Sequence, residues 1–221
     1  MLSIVQAFNK KNTERAYRLC VSWAVRFLIV GGIGSGTLEQ FYAAASKRVR
    51  EGAISTPEIL ANEMKKHVPS DSIFREAFSR ASVSRSYLAW YYLRVLERQF
   101  RKEPNPALAN EDEPERINLE HVLPQKMSIE WQMDDELRES LVNRIGNLTL
   151  LEKKPNSTLR GDGISKKIVE YKNSTYQLTQ QIEKTYQSVQ QPRKGKWEKE
   201  EIDLRQTELA KLAVKAWSIT V

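Results

Sequence analysis

The chain has few of the residues that build covalent or metal-linked scaffolds. Its 221 residues include one cysteine, Cys20, and two histidines, His67 and His121. A single cysteine cannot form an intrachain disulfide bond or a zinc site made of several cysteines. Because Cys20 falls within a helical pattern, we expect it to serve as a small buried apolar residue under reducing conditions.

The sequence also lacks a long apolar run and the pattern of a secretory leader. Its most apolar stretch, residues 21–33, is shorter than the about 20 residues needed to cross a bilayer, and Arg26 interrupts it. The first residues do not show the order of basic, apolar and small residues that precedes cleavage. We therefore expect a cytoplasmic protein.

Positive charge and helical periodicity are abundant. The net charge of +7 and the pI of about 9.4 favour a polyanionic partner such as nucleic acid without proving one. Apolar spacing predicts five helices between residues 12 and 102, and the aromatic stripe of the fifth is expected in the core. Prolines and acids at 103–115 predict a linker or surface loop. We therefore expect a helical domain over 1–102 and a second domain over 116–221.

The second half has a different pattern. Residues 116–122 alternate between apolar and polar and predict a short strand, and 147–151 predict another. Helices are expected over 134–143, over 164–186 as one long helix, and over 197–217. The predicted fold is mainly α with a small β-hairpin.

Chemistry-bearing residues lie at the ends of these predicted elements. His121 follows Glu120 at the end of the first strand, Asn147 starts the second strand, and Asn156 starts a helix. Neutral histidine is the side chain best suited to take a proton from water near pH 7, which makes His121 a candidate base. Oxygen ligands suit a hard divalent cation, so Glu120 and Asn156 are candidate metal ligands.

The stretch LEHVLPQ, followed by RIGNLTLLEKKPNSTL, resembles the HNH nuclease domain, also called the ββα-metal or His-Me finger domain. More narrowly, it is similar to the C-terminal domain of GmrSD-type modification-dependent restriction endonucleases. The shared segments are His-hydrophobic-x-Pro-Gln, Gly-Asn-Leu-x-Leu-Leu, Asn-Ser, and Lys-x-x-x-Tyr-x-x-Ser, which here starts at Lys167. The resemblance covers about residues 116–218.

This resemblance implies a metal-dependent DNA endonuclease domain in restriction or anti-phage defence. His121 would be the base, and Asn147 would hold its imidazole in the right tautomer. Many HNH sites end in histidine where this chain has Asn156, so Mg²⁺, or alternatively Mn²⁺, is expected rather than zinc. Relatives commonly carry an N-terminal NTP-dependent domain that selects the DNA. This chain has no such phosphate loop, so we expect a fragment, a separate subunit or a truncated gene product.

Basic residues cluster just after the predicted site, where they could grip DNA phosphates. The candidates are Lys153, Lys154, Arg160, Lys166 and Lys167. Each site residue also has a plain structural interpretation: His121 as a local hydrogen-bonding residue, Asn147 as a turn residue, Asn156 as a helix cap and the basic run as a solvated face. The rival functions are a non-catalytic nucleic-acid-binding or subunit-docking module and an HNH-like ribonuclease.

Overall fold

The structure is a computed structural model that describes residues 1–32, 34–108, 117–126, 131, 133–153, 162–189 and 196–221. Within these ranges the fold is mainly helical with one two-stranded antiparallel hairpin, which confirms the predicted fold class. The elements are α1 Leu2–Ala7, α2 Lys10–Val30, α3 Ser35–Arg50, α4 Pro57–Met64, α5 Asp71–Phe78, α6 Ser86–Phe100, β1 Ile117–His121, α7 Asp135–Val142, β2 Leu148–Glu152, α8 Ile164–Lys172, α9 Gln177–Ser188 and α10 Lys199–Ala216. In these ranges, no helix is long and apolar enough to cross a membrane.

The chain divides into two compact units, at a different place from the predicted one. The first unit is Met1–Phe78 with Ala213–Val221, and the second is Ser79–Leu212. The composition of residues 103–115 predicted the boundary there, after α6. However, the Glu97 carboxylate of α6 accepts hydrogen bonds at 2.8 Å from two backbone N–H groups at the start of α9. Composition marks an exposed loop, whereas the boundary of a unit depends on such packing.

The first unit is an apolar helical cluster that includes one buried arginine. Its core surrounds Trp23, which is 1% exposed and lies on the inward face of α2. Arg26, one turn later, is fully buried and donates to the carbonyls of Trp217 and Pro69 and to the Asp71 carboxylate. The arginine that interrupts the apolar run therefore joins the chain end to the start of α5.

The second unit is organised around the hairpin. In its antiparallel register Ile117 pairs with Glu152 and His121 pairs with Leu148. Leu148, Leu150 and Leu151 of β2 are buried. Because apolar residues cover both faces of β2, this strand lies inside the unit, and the end of β1 is fixed against it.

The long helix predicted over 164–186 is two helices, α8 and α9. Between them the Glu152 carboxylate accepts hydrogen bonds from the hydroxyls of Ser174 and Thr175 and from the Thr175 backbone N–H. Glu97 binds the first N–H groups of α9. The prediction was wrong because both acceptors come from distant segments, which helical periodicity does not reveal.

Two smaller predictions also need correction. The first helix was predicted to begin no earlier than residue 12, but α2 starts at Lys10 and the Asn9 side chain accepts a hydrogen bond from the Asn12 backbone N–H. In the aromatic stripe of α6, Tyr92 is buried as expected, whereas Tyr87 is 65% exposed. Tyr87 lies in the first turn of α6, where it escapes the packing that covers the rest of the stripe.

Candidate active site

His121 is the last residue of β1, and its imidazole is half-buried. Its Nε2 atom lies 3.3 Å from the side-chain nitrogen of Gln125, four residues along the loop that follows the strand. Asn143, which follows α7, lies close enough to the ring to raise the pKa of His121. The imidazole thus has one neighbour on the loop after the strand and another at the end of α7.

The surroundings of His121 keep its imidazole neutral. Burial is the largest cause that lowers the pKa of His121, and the positive charge of Lys167 lowers it further. Asn143 acts in the opposite direction, and the resulting pKa is about 4. At neutral pH the ring therefore has a lone pair available to accept a proton.

Asn147 acts on the loop after His121 and uses its whole side chain to do so. Its amide oxygen accepts a hydrogen bond from the Leu123 N–H at 2.7 Å. Its amide nitrogen donates to the carbonyls of Leu123 and Val142 at 3.0 Å each. The Asn147 carbonyl accepts from the Val122 N–H at 3.0 Å. The resemblance implied that Asn147 holds the imidazole; its contacts are instead with the backbone that carries and follows the histidine.

The Arg-Ile-Gly-Asn turn before β2 is held against α10. A Cβ added to Gly146 would lie 2.3 Å from the Ile202 carbonyl oxygen, so only glycine allows this approach. The Gln206 side-chain oxygen accepts hydrogen bonds from the Gly146 N–H and from Arg144. Arg205, fully enclosed, donates to the carbonyls of Gly146 and Leu148. The Arg-Ile-Gly-Asn motif therefore corresponds to a tightly fixed turn that includes Asn147.

Glu120 and His121 point to opposite faces of the hairpin, as successive residues of a strand do. The Glu120 side chain is buried and faces α8, where its Oε1 atom accepts hydrogen bonds from Lys167 at 2.7 Å and Tyr171 at 3.0 Å. Burial and the Glu120 charge raise the pKa of Tyr171 well above its ordinary value, so the phenol keeps its proton and donates it. A cation at Oε1 would have to displace the Lys167 ammonium.

Lys167 does not have the exposure that a phosphate contact needs, which corrects its prediction as a nucleic-acid-binding residue. Its side chain is 2% exposed. Besides Glu120, its ammonium donates to the carbonyls of His121 at 2.9 Å and Val122 at 3.1 Å. An ammonium has three hydrogens, and here each one has a protein acceptor.

The other basic candidates are placed differently. Lys166 is exposed and forms an ion pair with Asp162 at 3.4 Å, and Lys153 is exposed at the end of β2. Lys154, Asn156 and Arg160 lie outside the described residues. Lys153 and Lys166 thus have the exposure that a phosphate contact requires, and their role stays a prediction.

In the described ranges, no cluster of three or more histidine, cysteine, aspartate or glutamate side chains could hold an ion. Of the predicted ligands, Glu120 has its Oε1 atom held by Lys167 and Tyr171, and its ligand role stays a prediction. Asn156 lies outside these ranges.

Two residues beside His121 were not singled out from the sequence. Gln125 belongs to the His-hydrophobic-x-Pro-Gln segment, so the motif itself was a usable signal. Asn143 ends a predicted helix that carried no chemical pattern, and only the fold brings it to the imidazole. Glu120, Lys167 and Tyr171 were each noticed, but their mutual contact was not.

These observations define a helical protein whose small hairpin presents one neutral histidine at a strand end. Residues 68–212 match the family described as GmrSD restriction endonucleases, C-terminal domain. Because the match covers 145 of the 221 residues, the chain belongs to this family, which is a family of restriction-type nucleases. No match was found among curated proteins. The family match begins well before the motif-bearing stretch and includes α5 and α6.

Proposed function

We propose that this chain is an HNH-type endonuclease domain that hydrolyses phosphodiester bonds in DNA, with His121 as the general base. The supporting observation is the state of His121: its imidazole is neutral, half-buried and carried on a strand end whose following loop is fastened by Asn147. Membership in a restriction endonuclease family supports the same reaction class.

In the proposed reaction, Nε2 of His121 takes a proton from a water molecule. The water oxygen forms a bond to phosphorus, the bond from phosphorus to the 3′ oxygen breaks, and the departing oxygen is protonated by solvent. Gln125 lies beside Nε2, so the attacking water would replace or join this contact. Asn147 contributes by fixing the loop, and Lys153 and Lys166 are proposed to bind DNA phosphates, together with Lys154 and Arg160.

Dependence on a divalent cation, with Mg²⁺ preferred and Mn²⁺ accepted, remains part of the proposal because such nucleases commonly use one. A cation would supply charge neutralisation at the phosphate. No step is assigned to it here, because Glu120 is held by Lys167 and Tyr171. We propose that the choice of DNA comes from an N-terminal NTP-dependent domain or from a separate subunit. The phosphate contacts proposed for this chain carry no sequence information.

A plasmid-nicking assay with and without Mg²⁺ or Mn²⁺ tests this proposal. We expect His121→Ala to lower the cleavage rate by about 10²–10⁴-fold, the usual contribution of a general base, with DNA affinity nearly unchanged. His67→Ala, which removes the other histidine of the chain, is the matched control and is expected to cut like the wild type. Full cleavage by His121→Ala would remove the assignment.

The same assay separates the rival functions. Binding of DNA without cleavage under any of these metal conditions would favour a non-catalytic binding or docking module. Preferential cleavage of a single-stranded RNA substrate by the wild type, lost in His121→Ala, would favour a ribonuclease that uses the same base.

A further inference from the structure

The Lys-x-x-x-Tyr-x-x-Ser motif ties α8 to both strands of the hairpin. Lys167 and Tyr171 are four residues apart and lie on one face of α8, and Ser174 follows two residues after the helix ends. Lys167 and Tyr171 bind Glu120 of β1, and Ser174 donates to Glu152 of β2 at 3.0 Å. The helix and the residues that end it therefore contact the hairpin through two carboxylates.

Lys167 does more than pair with Glu120. Two of its three hydrogen bonds go to consecutive backbone carbonyls, those of His121 and Val122. These carbonyls lie where β1 ends and the loop begins, so their direction determines how the chain leaves the strand. On the same segment, Asn147 binds the N–H groups of Val122 and Leu123. The peptide groups around His121 are thus held by Lys167 through their carbonyls and by Asn147 through their N–H groups.

The side chains next to Lys167 come from more than one segment of the second unit. Glu120 lies on β1, Tyr171 on the same helix, and the Trp131 ring centroid lies 5.9 Å from Nζ. Arg205 of α10 acts electrostatically on Tyr171. A lysine-carboxylate pair this deeply buried is costly to desolvate and gives little net stability compared with apolar residues. Its two additional backbone contacts satisfy the other hydrogens of the ammonium and hold the segment that carries the imidazole.

We propose that Lys167 is a positioning residue for His121, whose buried ammonium holds the His121 and Val122 carbonyls and so fixes the backbone that carries the imidazole. This inference rests on the proposed function for its catalytic consequence, although the contact itself can be tested without cleavage. The positive charge of Lys167 also disfavours protonation of the His121 ring.

The first experiment measures how Lys167 affects the titration of the His121 ring. The chain has two histidines, so in a His67→Gln background the ring signals in an NMR titration belong to His121. We expect a midpoint of about 4 with Lys167 present and a clear upward shift in Lys167→Met. The Lys167 ammonium itself should give a slowly exchanging ¹⁵N signal with coupling to the two carbonyl carbons. An unchanged midpoint together with no such signal would overturn the proposal even if the protein never cuts DNA.

The second experiment separates positioning from stability by comparing Lys167→Met with the double variant Glu120→Gln/Lys167→Met. The double variant removes both buried charges and should fold even where the single variant does not. We expect the double variant to keep a kcat lowered by about 10²-fold, the effect of a small misplacement of a catalytic group, with KM little changed. If the double variant regains both stability and kcat, Lys167 has a structural role only and the proposal fails.

Lys166→Met is the matched contrast, since it removes the same charge one residue earlier on the exposed face of α8. It is expected to raise KM and to leave the His121 titration in place, the reverse of the Lys167 result. A wild type that shows the Lys167 contacts but no cleavage would contradict the proposed function and leave the contact established, so the two failures are distinguishable.

Discussion

The two units of this protein bury different kinds of side chain. Among the described residues, Arg26 is the buried charged residue of the first unit, where Ser3 and Ser22 are the other buried polar residues and an open pocket of about 430 Å³ is lined by residues such as Ile4 and Trp23. The second unit buries several charged groups in its interior. They are Arg94, Glu97, Glu120, Lys167, Glu201 and Arg205. In the second unit, some of these buried charged groups bind the backbone near His121 and so fix its path.

The second unit buries more charged residues than the first, but its net charge is smaller. The first unit contains 12 basic and 7 acidic residues, a net charge of +5, and the second contains 23 and 21, a net charge of +2. Most of the positive excess is therefore outside the unit that carries His121. The overall pI supports a polyanionic partner for the chain but says little about the surface next to the histidine.

Of the substitutions that compare the two units, those at glycine are expected to change the free energy of unfolding most. Gly146→Ala should lower the free energy of unfolding by about 3 kcal/mol or more, because the new Cβ meets the Ile202 backbone and cannot be accommodated. Gly36→Ala in α3, where nothing lies within 4 Å, should instead raise stability by about 0.5–1 kcal/mol. Urea unfolding followed by tryptophan fluorescence measures both, and equal effects would contradict the close approach at Gly146.

Next comes the buried polar network around the loop. Asn147→Ala leaves the Leu123 N–H and the Leu123 and Val142 carbonyls without their partner, and we expect a loss of about 2–3 kcal/mol together with most of the nuclease activity. Asn173→Ala is the control, since Asn173 is exposed and its side chain bonds only weakly to the Val169 carbonyl. Thermal melting measures both variants, and an equal decrease in Tm would contradict the larger contribution expected of the buried Asn147.

The buried arginine of the first unit should show a smaller effect. Arg26→Met leaves the Trp217 and Pro69 carbonyls unpaired and should cost about 1–2 kcal/mol. Arg15→Met, which removes a partly exposed pair with Glu58 and a hydrogen bond to the Asn12 side chain, should stay within about 0.5 kcal/mol. Neither substitution is expected to change the His121 titration, because in the described part of the chain neither arginine shares a hydrogen-bond partner with His121. A shifted titration would contradict this expectation.

A pH effect is also expected from His121. Its pKa in the folded chain is about 4, below its ordinary value of 6.5, so between these values the unfolded chain binds a proton that the folded chain does not. The stability contribution is therefore full above about pH 6.5 and is lost as the pH falls towards 4. Unfolding of the wild type and of His121→Gln from pH 7 to pH 4 should diverge in this window; parallel curves would contradict the low pKa.

The smallest effect concerns a single exposed cation. Lys153→Met should reduce the slope of log affinity for DNA against log salt by about 1, the amount expected for one lost phosphate contact. Lys167→Met should leave that slope unchanged because its ammonium has no exposed hydrogen to offer. Filter binding at several salt concentrations measures both slopes, and a change for Lys167 alone would reverse the interpretation of the two lysines.

Sequence reasoning reached the hairpin and the histidine because both have local signals. Alternation in 116–122 marks β1, and the His-hydrophobic-x-Pro-Gln and Gly-Asn-Leu segments place His121 at the end of β1 and Asn147 directly before β2. The roles of their neighbours had no local signal. Glu120 was expected to face a metal and Lys167 to face DNA, yet each is the other's partner across 47 residues. Charge pairing over such a separation is invisible to periodicity and spacing.

The sequence by itself determined the mainly helical fold with one hairpin, the family, and the candidate base, because periodicity and short motifs are properties of neighbouring residues. Only the tertiary structure decided where the units divide, why the helix after residue 164 breaks, and which way Glu120 and Lys167 point. Each of these depends on a partner from a distant segment: Glu97 and Glu152 for the helix break, Lys167 for Glu120. The chain brings such partners together only by folding, since the desolvation of a buried charge is compensated only when its partner arrives.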